Sequence, residues 1–254
     1  MDANAVKSAK REVIFDEGRH YKAKIGYVVL AMEQTIEDDV YTLTPDGVGI
    51  HFSRIYSTNE VAVENLLAQA GELTKAASLI LPGLTLDAVT YACTSGSFVI
   101  GEDRCKKLLT DGAKGAKATT LTTGVIRALE ALNTKKIVVA TPYIDSVNAI
   151  EVEYFQKRGL EILDIQGLNI LMDEDMVRVP PSYIRDFAKS IDRPDAEAIF
   201  ISCGALRSID IIDELEQMVG KPVVTSNQAL VWDALRLAGV DDKVEGYGRL
   251  FREF

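Results

Sequence analysis

Cysteine, histidine and tryptophan are scarce in this chain: three, two and one of its 254 residues. Three scattered cysteines cannot build a disulfide framework. No CxxC or histidine-rich spacing suggests zinc, so no metal is expected. His20 and His51 are the only imidazoles. His51 sits in an alternating segment and reads as a surface or structural residue, which leaves a Ser-His-Asp or Cys-His relay little to build on. Long apolar runs are missing too. Nothing approaches the ~18 consecutive apolar residues of a membrane helix. The first twenty residues are charged throughout, so no signal peptide is expected. Basic residues are outnumbered, 28 Lys and Arg against 38 Asp and Glu, for a net charge of −10. Nucleic acid and anionic membranes are therefore poor partners. A small anionic substrate stays compatible, because a local site can oppose the global field. The glycine pairs in "GYGRL" and "DGAKGAK" lack the strand-turn-helix setting of a nucleotide fingerprint. A reducing cytoplasm is the expected compartment.

What is present is ordinary globular material, 47% apolar and 26% charged, enough for one large domain or two of roughly 110–130 residues. Apolar strand-like runs alternate with amphipathic helical ones. Strands are expected at 23–31, 47–55 and 86–93, and helices at 57–80, with Ser57 and Glu60 as a capping box, and at 119–133. The order then begins again. Strands are expected at 135–143, 160–168, 196–203 and 221–226. Helices fall between them and at 227–239, where Gly239 stops the last one. Continuous apolar strands alternating with helices imply a parallel sheet covered on both faces.

The pattern also repeats in spacing. Val28 to Cys93 is 65 residues (93 − 28), and Val138 to Cys203 is again 65 (203 − 138). The expected fold is α/β: two similar doubly wound parallel-sheet halves related by a pseudo-twofold, with the active site between them. An extension covers 1–22. The first half covers 23–133, with a contribution from the C-terminal helix, and the second covers 134–254.

Each of two cysteines ends a strand, and ligands of parallel sheets bind beyond strand carboxyl ends. Small residues follow both, "TSGS" after Cys93 and "GA" after Cys203, and let backbone N–H groups approach a ligand. A lone strand cysteine is usually a small buried hydrophobe. Two at equivalent places in a repeat point instead to one cleft with a thiol on each side. Cys105 lacks this setting and reads as structural. A thiolate and a thiol can take a proton from one face of a carbon and return it to the other without cofactor or metal. Thr94, Ser95, the Gly204 N–H and Tyr143 could hold the enediolate-like intermediate. Thr94 and Ser95 could equally cap a helix. The acidic "LMDEDM" segment reads as a solvated or mobile loop that could close over the site.

These residues resemble the aspartate/glutamate racemase superfamily. The closest branch holds maleate cis-trans isomerase, arylmalonate decarboxylase and ectoine-utilisation racemase-like proteins. The likeness runs from about residue 23 to the end, and is best in "VATPYIDSVN", "ISCGALRSIDIIDELE", "KPVVTSNQALVWDALRLAG" and "GYGRLF". It implies no cofactor, a small carboxylate substrate and self-association into homo-oligomers. It implies that Cys203 is the cysteine shared by decarboxylase and isomerases, and that Thr94, Ser95, Tyr143 and Gly204 hold a carboxylate. Cys93 departs from the decarboxylase, which has glycine there, and agrees with racemases and maleate isomerase. Glu33, in "VVLAMEQTIE", stands near an asparagine of the maleate isomerase pattern. A carboxylate there suits an amino group better than a second substrate carboxylate. The leading expectation is a racemase or epimerase of a small carboxylate, amino-bearing if Glu33 faces the site. Cis-trans isomerisation through a Cys93 adduct, decarboxylation through Cys203, and non-catalytic carboxylate binding stay open.

Overall fold

The computed structural model describes residues 7–254, so the first six residues of the expected extension lie outside the described residues. The first four strands are β1 (Ala23–Leu30), β2 (Val48–Ile55), β3 (Ala88–Tyr91) and β4 (Lys117–Thr120). They form one sheet in the order β2-β1-β3-β4. The next four are β5 (Lys136–Thr141), β6 (Glu161–Gly167), β7 (Ala198–Ile201) and β8 (Val223–Thr225). They repeat the arrangement as β6-β5-β7-β8. Every pairing is parallel. The architecture is the expected α/β one, two doubly wound sheets of like topology. β3 and β7 are buried at every position, and β1 at all but Lys24 and Leu30, which explains their largely apolar sequences.

In each sheet the strand order reverses beside the first strand, between β1 and β3 and between β5 and β7. A doubly wound sheet opens a crevice at the carboxyl ends of these strands. The turns after β1, β3, β5 and β7 carry Glu33, Cys93, Tyr143 and Cys203. Topology alone therefore brings these four residue types to the sheet edges that can face each other.

The helices joining the halves carry the symmetry. Thr120 caps the Leu121–Ala131 helix, its side chain accepting from Thr123 N–H. Thr225 caps Ser226–Ala238 in a full capping box with Gln228. Each such cap contributes about 1 kcal/mol. The two caps lie 105 residues apart (225 − 120), and the same step takes Gly124 to Ala229. Those two residues meet. A Cβ on Gly124 would lie 2.8 Å from the Ala229 carbonyl oxygen. Across the same contact, buried Asp233 accepts from Thr119 and pairs with Arg127. The Ser226–Ala238 helix, which follows the last strand of the second sheet, lies against β1, β3 and β4 of the first.

Several elements differ from expectation. The single helix expected over 57–80 is broken into Val63–Ala68, a 3-10 turn at Gln69–Gly71 and Leu73–Ser78. Ser57 and Glu60 form no capping box. The Ser57 hydroxyl accepts from Met32 N–H, and Glu60 pairs with Met172 of the other half. Long-range partners outcompete the local cap. Residues 119–120 end β4 rather than opening a helix, because Ala88–Tyr91 pairs with Lys117–Thr120. Five helices among the described residues are additional to the expected set: Ile36–Leu43, Thr94–Ile100, Glu102–Gly112, Asp173–Met176 and Gly248–Glu253. No helix among the described residues is long and apolar enough to cross a membrane.

Candidate active site between the halves

Cys93 and Cys203 line one cavity. Its walls come from both halves: Leu30, Met32, Glu33, Gln69, Cys93 and Ser95 from the first, Tyr143, Asp173, Cys203, Gly204 and Ala205 from the second. The volume is about 30 Å³, room for about two waters, since one needs about 10–15 Å³ on this measure. Even a four-carbon acid needs the walls to part. The covering is a strap between halves. Glu60 and Met172 form an antiparallel bridge, with Val61 N–H donating to Leu171 at 3.0 Å and Asp173 N–H to Asn59 at 2.8 Å. The "LMDEDM" segment thus does cover the site. It is not wholly solvated, since Asp173 and Met176 are buried.

The two cysteines are held differently. Cys93 has extended backbone and opens the Thr94–Ile100 helix, where its sulfur accepts from Gly96 N–H at 3.3 Å and lies 3.7 Å from the Ser95 hydroxyl. Cys203 has φ of +99°, a conformation that costs a non-glycine residue about 1–3 kcal/mol and is found at functional sites. Its N–H donates to Ser226 Oγ at 2.9 Å, and its sulfur sits 3.9 Å from Met176 Sδ. Ser226 Oγ also accepts from Thr94 at 3.0 Å. One serine of the second half therefore ties down both sulfur-bearing turns. This differs from the substrate role expected for the Thr94 hydroxyl, which is committed to Ser226 and does not line the cavity.

The other expected residues fall as follows. Ser95, Tyr143, Gly204 and Glu33 all line the cavity. Tyr143 is fully buried, and its hydrogen bond opposes the rise that burial imposes on the Cys203 thiol. Glu33 spends one oxygen on its own turn: Oε1 accepts from the N–H groups of Gln34, Thr35 and Ile36 at 3.0, 2.7 and 3.0 Å. Its Oε2 accepts no hydrogen bond among the described residues and lies 3.8 Å from where a Cβ on Gly204 would sit. Cys105 lies fully buried outside the cavity wall, as expected for a structural thiol.

Electrostatically the site is acid-rich. Burial pushes the Cys93 thiol up to about 11, and the Asp173 carboxylate adds to the rise. Burial likewise raises Cys203 well above its ordinary value, with Asp173 and Glu33 contributing. Both shifts favour the thiol over the thiolate. Burial raises Asp173 to about 7, helped by Glu33. Glu33 is also raised by burial, against its three N–H donors.

Asp173, Gln69, Ser226 and Asn227 were not singled out in the sequence. Asn227 donates to Asp39 at 2.7 Å and to the Gly204 carbonyl at 2.8 Å, fixing that loop. One signal was available. Ser226 and Asn227 directly follow β8, at the same carboxyl edge as the cysteines. Nothing local marks Asp173 among its acidic neighbours.

Fold and cleft together define a two-half α/β protein with a thiol on each wall of one site. A family model for arylmalonate decarboxylase matches residues 61–251. The arylmalonate decarboxylase of Bordetella bronchiseptica is 33% identical over 199 residues, covering 76% of this chain and 80% of the relative. The chain belongs to the arylmalonate decarboxylase family. A maleate isomerase of Pseudomonas putida is 24% identical over 242 residues, 89% of this chain and 96% of the relative. A solved structure of a Nocardia farcinica maleate cis-trans isomerase, a cysteine-to-serine variant with a covalently bound succinylcysteine intermediate, superposes with a TM-score of 0.83. It is 22% identical over 91% of this chain and 99% of that one. These relatives are enzymes, an isomerase type and a decarboxylase.

Proposed function

We propose that the protein is a cofactor-independent isomerase of a small carboxylate, with Cys93 and Cys203 acting from opposite walls of the cleft. The observation that carries this is the pair itself: equivalent turns of two like halves bring two thiols and one shared phenol, Tyr143, to a single cavity. A one-sided decarboxylation uses one cysteine and leaves the other without a task.

The first route is cis-trans isomerisation through an adduct, supported by the kinship to maleate isomerases and by the succinylcysteine of the Nocardia enzyme. The Cys93 thiolate adds to one carbon of the double bond. The π electrons move onto the neighbouring carbon and its carboxylate, and the Cys203 thiol supplies the proton. The new single bond rotates. Cys203 takes the proton back, the C–S bond breaks, and the trans alkene leaves. Ser95 and the Gly204 N–H hold the carboxylate as charge builds on it.

A second route is favoured by one observation, the buried carboxyls of Glu33 and Asp173 on the cavity wall. These repel a dianion. Here one cysteine removes the α-proton and the other returns it from the opposite face, giving racemisation or epimerisation.

Incubation in D₂O with wild type, Cys93→Ala and Cys203→Ala separates the routes. The substrates are maleate, a malonate and small chiral acids. A mass adduct on Cys93 with maleate turned to its trans isomer supports the first route. Deuterium at the α-carbon with loss of optical activity supports the second. Either substitution should lower turnover at least 10³-fold without changing the fold. Carbon dioxide release that survives Cys93→Ala, or no exchange, turnover or adduct at all, overturns the isomerase reading.

A further inference from the structure

We infer that the cleft selects a small carboxylate bearing a cationic nitrogen, held by the free oxygens of Glu33 and Asp173; this rests on the isomerase reading above and names its substrate class.

Among the described residues the wall of the cavity contains no Lys, Arg or His, but three carboxyl side chains, Glu33, Glu60 and Asp173. A dicarboxylate entering this space meets like charge on several sides and no compensating cation. Arg54, whose charge acts on Glu33, is outside the wall and already engaged. It donates to the carbonyls of Leu30, Ala31 and Glu33 and pairs with Glu37.

The two carboxyls are also incomplete. Asp173 is 8% exposed, lines the cavity, and its Oδ2 is buried with no hydrogen-bond partner among the described residues. A buried carboxylate oxygen without a donor is costly, and a native site leaves one so for a reason. Glu33 saturates Oε1 with three backbone N–H groups and leaves Oε2 facing Gly204. One unfilled acceptor comes from each half. An ammonium group is a compact triple donor that satisfies both, while the substrate carboxylate turns toward Ser95 and the Gly204 N–H.

Such a ligand also acts on the thiols. Asp173 raises both cysteines by repulsion, and Glu33 adds to the rise at Cys203. A cation between the two carboxyls cancels that repulsion and eases formation of the thiolate. The substrate thereby activates the groups that transform it.

Calorimetric titration of the full chain tests this, with 2,4-diaminobutyrate, 4-aminobutyrate and alanine set against maleate, succinate and butyrate. At pH 8 at least one amino-bearing acid should bind tenfold or more tighter than every amino-free acid. The titratable groups that share the cavity wall with Asp173 are Glu33, Glu60, Cys93, Cys203 and Tyr143, none of them cationic. Ionisation of the carboxyls should therefore tighten the amino-bearing ligand between pH 6 and pH 8. The isosteric pair Glu33→Gln with Asp173→Asn should cost it at least tenfold and improve maleate. If the pair does not fold, Asp173→Asn alone gives the same readout. The inference is overturned if maleate or succinate binds as tightly as every amino-bearing acid, or if no amino-bearing acid binds. It is also overturned if affinity for diacids rises toward pH 6, the mark of protonated carboxyls donating to a substrate carboxylate. Binding of an amino acid without exchange in D₂O would remove the isomerase reading and leave this one standing. Turnover of maleate with no amino-acid binding would do the reverse.

Discussion

Replacing Ser226 with alanine should damage both stability and chemistry, and the size of each effect follows from the geometry. Ser226 Oγ accepts from the Cys203 N–H at 2.9 Å and from Thr94 Oγ1 at 3.0 Å. All three residues are at most 5% exposed, so water cannot take over the lost role. Each buried donor left without an acceptor costs about 1–3 kcal/mol, which sets the loss at roughly 2–6 kcal/mol. The two donors differ. The Thr94 hydroxyl can rotate, while the Cys203 N–H is fixed by a backbone already held at φ +99°. Thr94→Val alone removes one neutral hydrogen bond and should cost about 1 kcal/mol. The double variant removes the Thr94 donor together with its acceptor. It should therefore recover about 1–2 kcal/mol relative to the sum of the single changes. Urea unfolding of the four proteins, with a shared m-value, measures this coupling. Turnover should fall in Ser226→Ala far more than in Thr94→Val, because only the former frees the Cys203 turn. Additive stabilities, or a Ser226→Ala protein with unchanged turnover, would refute the idea that this hydroxyl holds the two sulfur-bearing turns in register.

Two further outcomes are expected. Glu151 is fully buried, accepts from Ser202 Oγ at 2.6 Å, and leaves Oε2 without a partner. Burial raises its pKa from 4.5 to about 8. The folded state then holds a proton that the unfolded state has lost, so stability falls as pH rises from about 4.5 through about 8. Glu151→Gln should flatten that slope by one proton and stabilise the protein at pH 8 by a few kcal/mol. Urea midpoints at pH 5 and pH 8 check it. Gly124→Ala gains about 1 kcal/mol of helix propensity. It also forces a methyl to within 2.8 Å of the Ala229 carbonyl, where only backbone can give way. Overpacking at about 1–3 kcal/mol or more should win, lowering the melting temperature by a few degrees.

The strands were legible because a buried parallel strand is written locally, as an unbroken apolar run. The cysteine pair was legible because duplication kept one spacing twice. The four residues "KATT" carry no periodicity, so Thr119 and Thr120 read as the start of the following helix, and only pairing with Ala88–Tyr91 makes Lys117–Thr120 a strand. Ser57 and Glu60 had the spacing of a capping box, yet they serve Met32 and Met172, partners no local pattern reveals. The acidic run held three aspartates and glutamates over 173–175. The strap to Asn59 and Glu60 decides that Asp173 is the one turned inward.

By itself, then, the sequence determined the sheet architecture, the two carboxyl edges and the thiol that ends β3 and β7. All of these follow from short-range patterns of burial and chain reversal. Tertiary structure decided which polar groups share the cleft. Glu33, Asp173 and Ser226 come from turns far apart in the chain, and whether a carboxyl is buried beside a thiol depends on how two halves dock. That docking rests on contacts such as Gly124 against Ala229, whose energy exists only once both helices are in place.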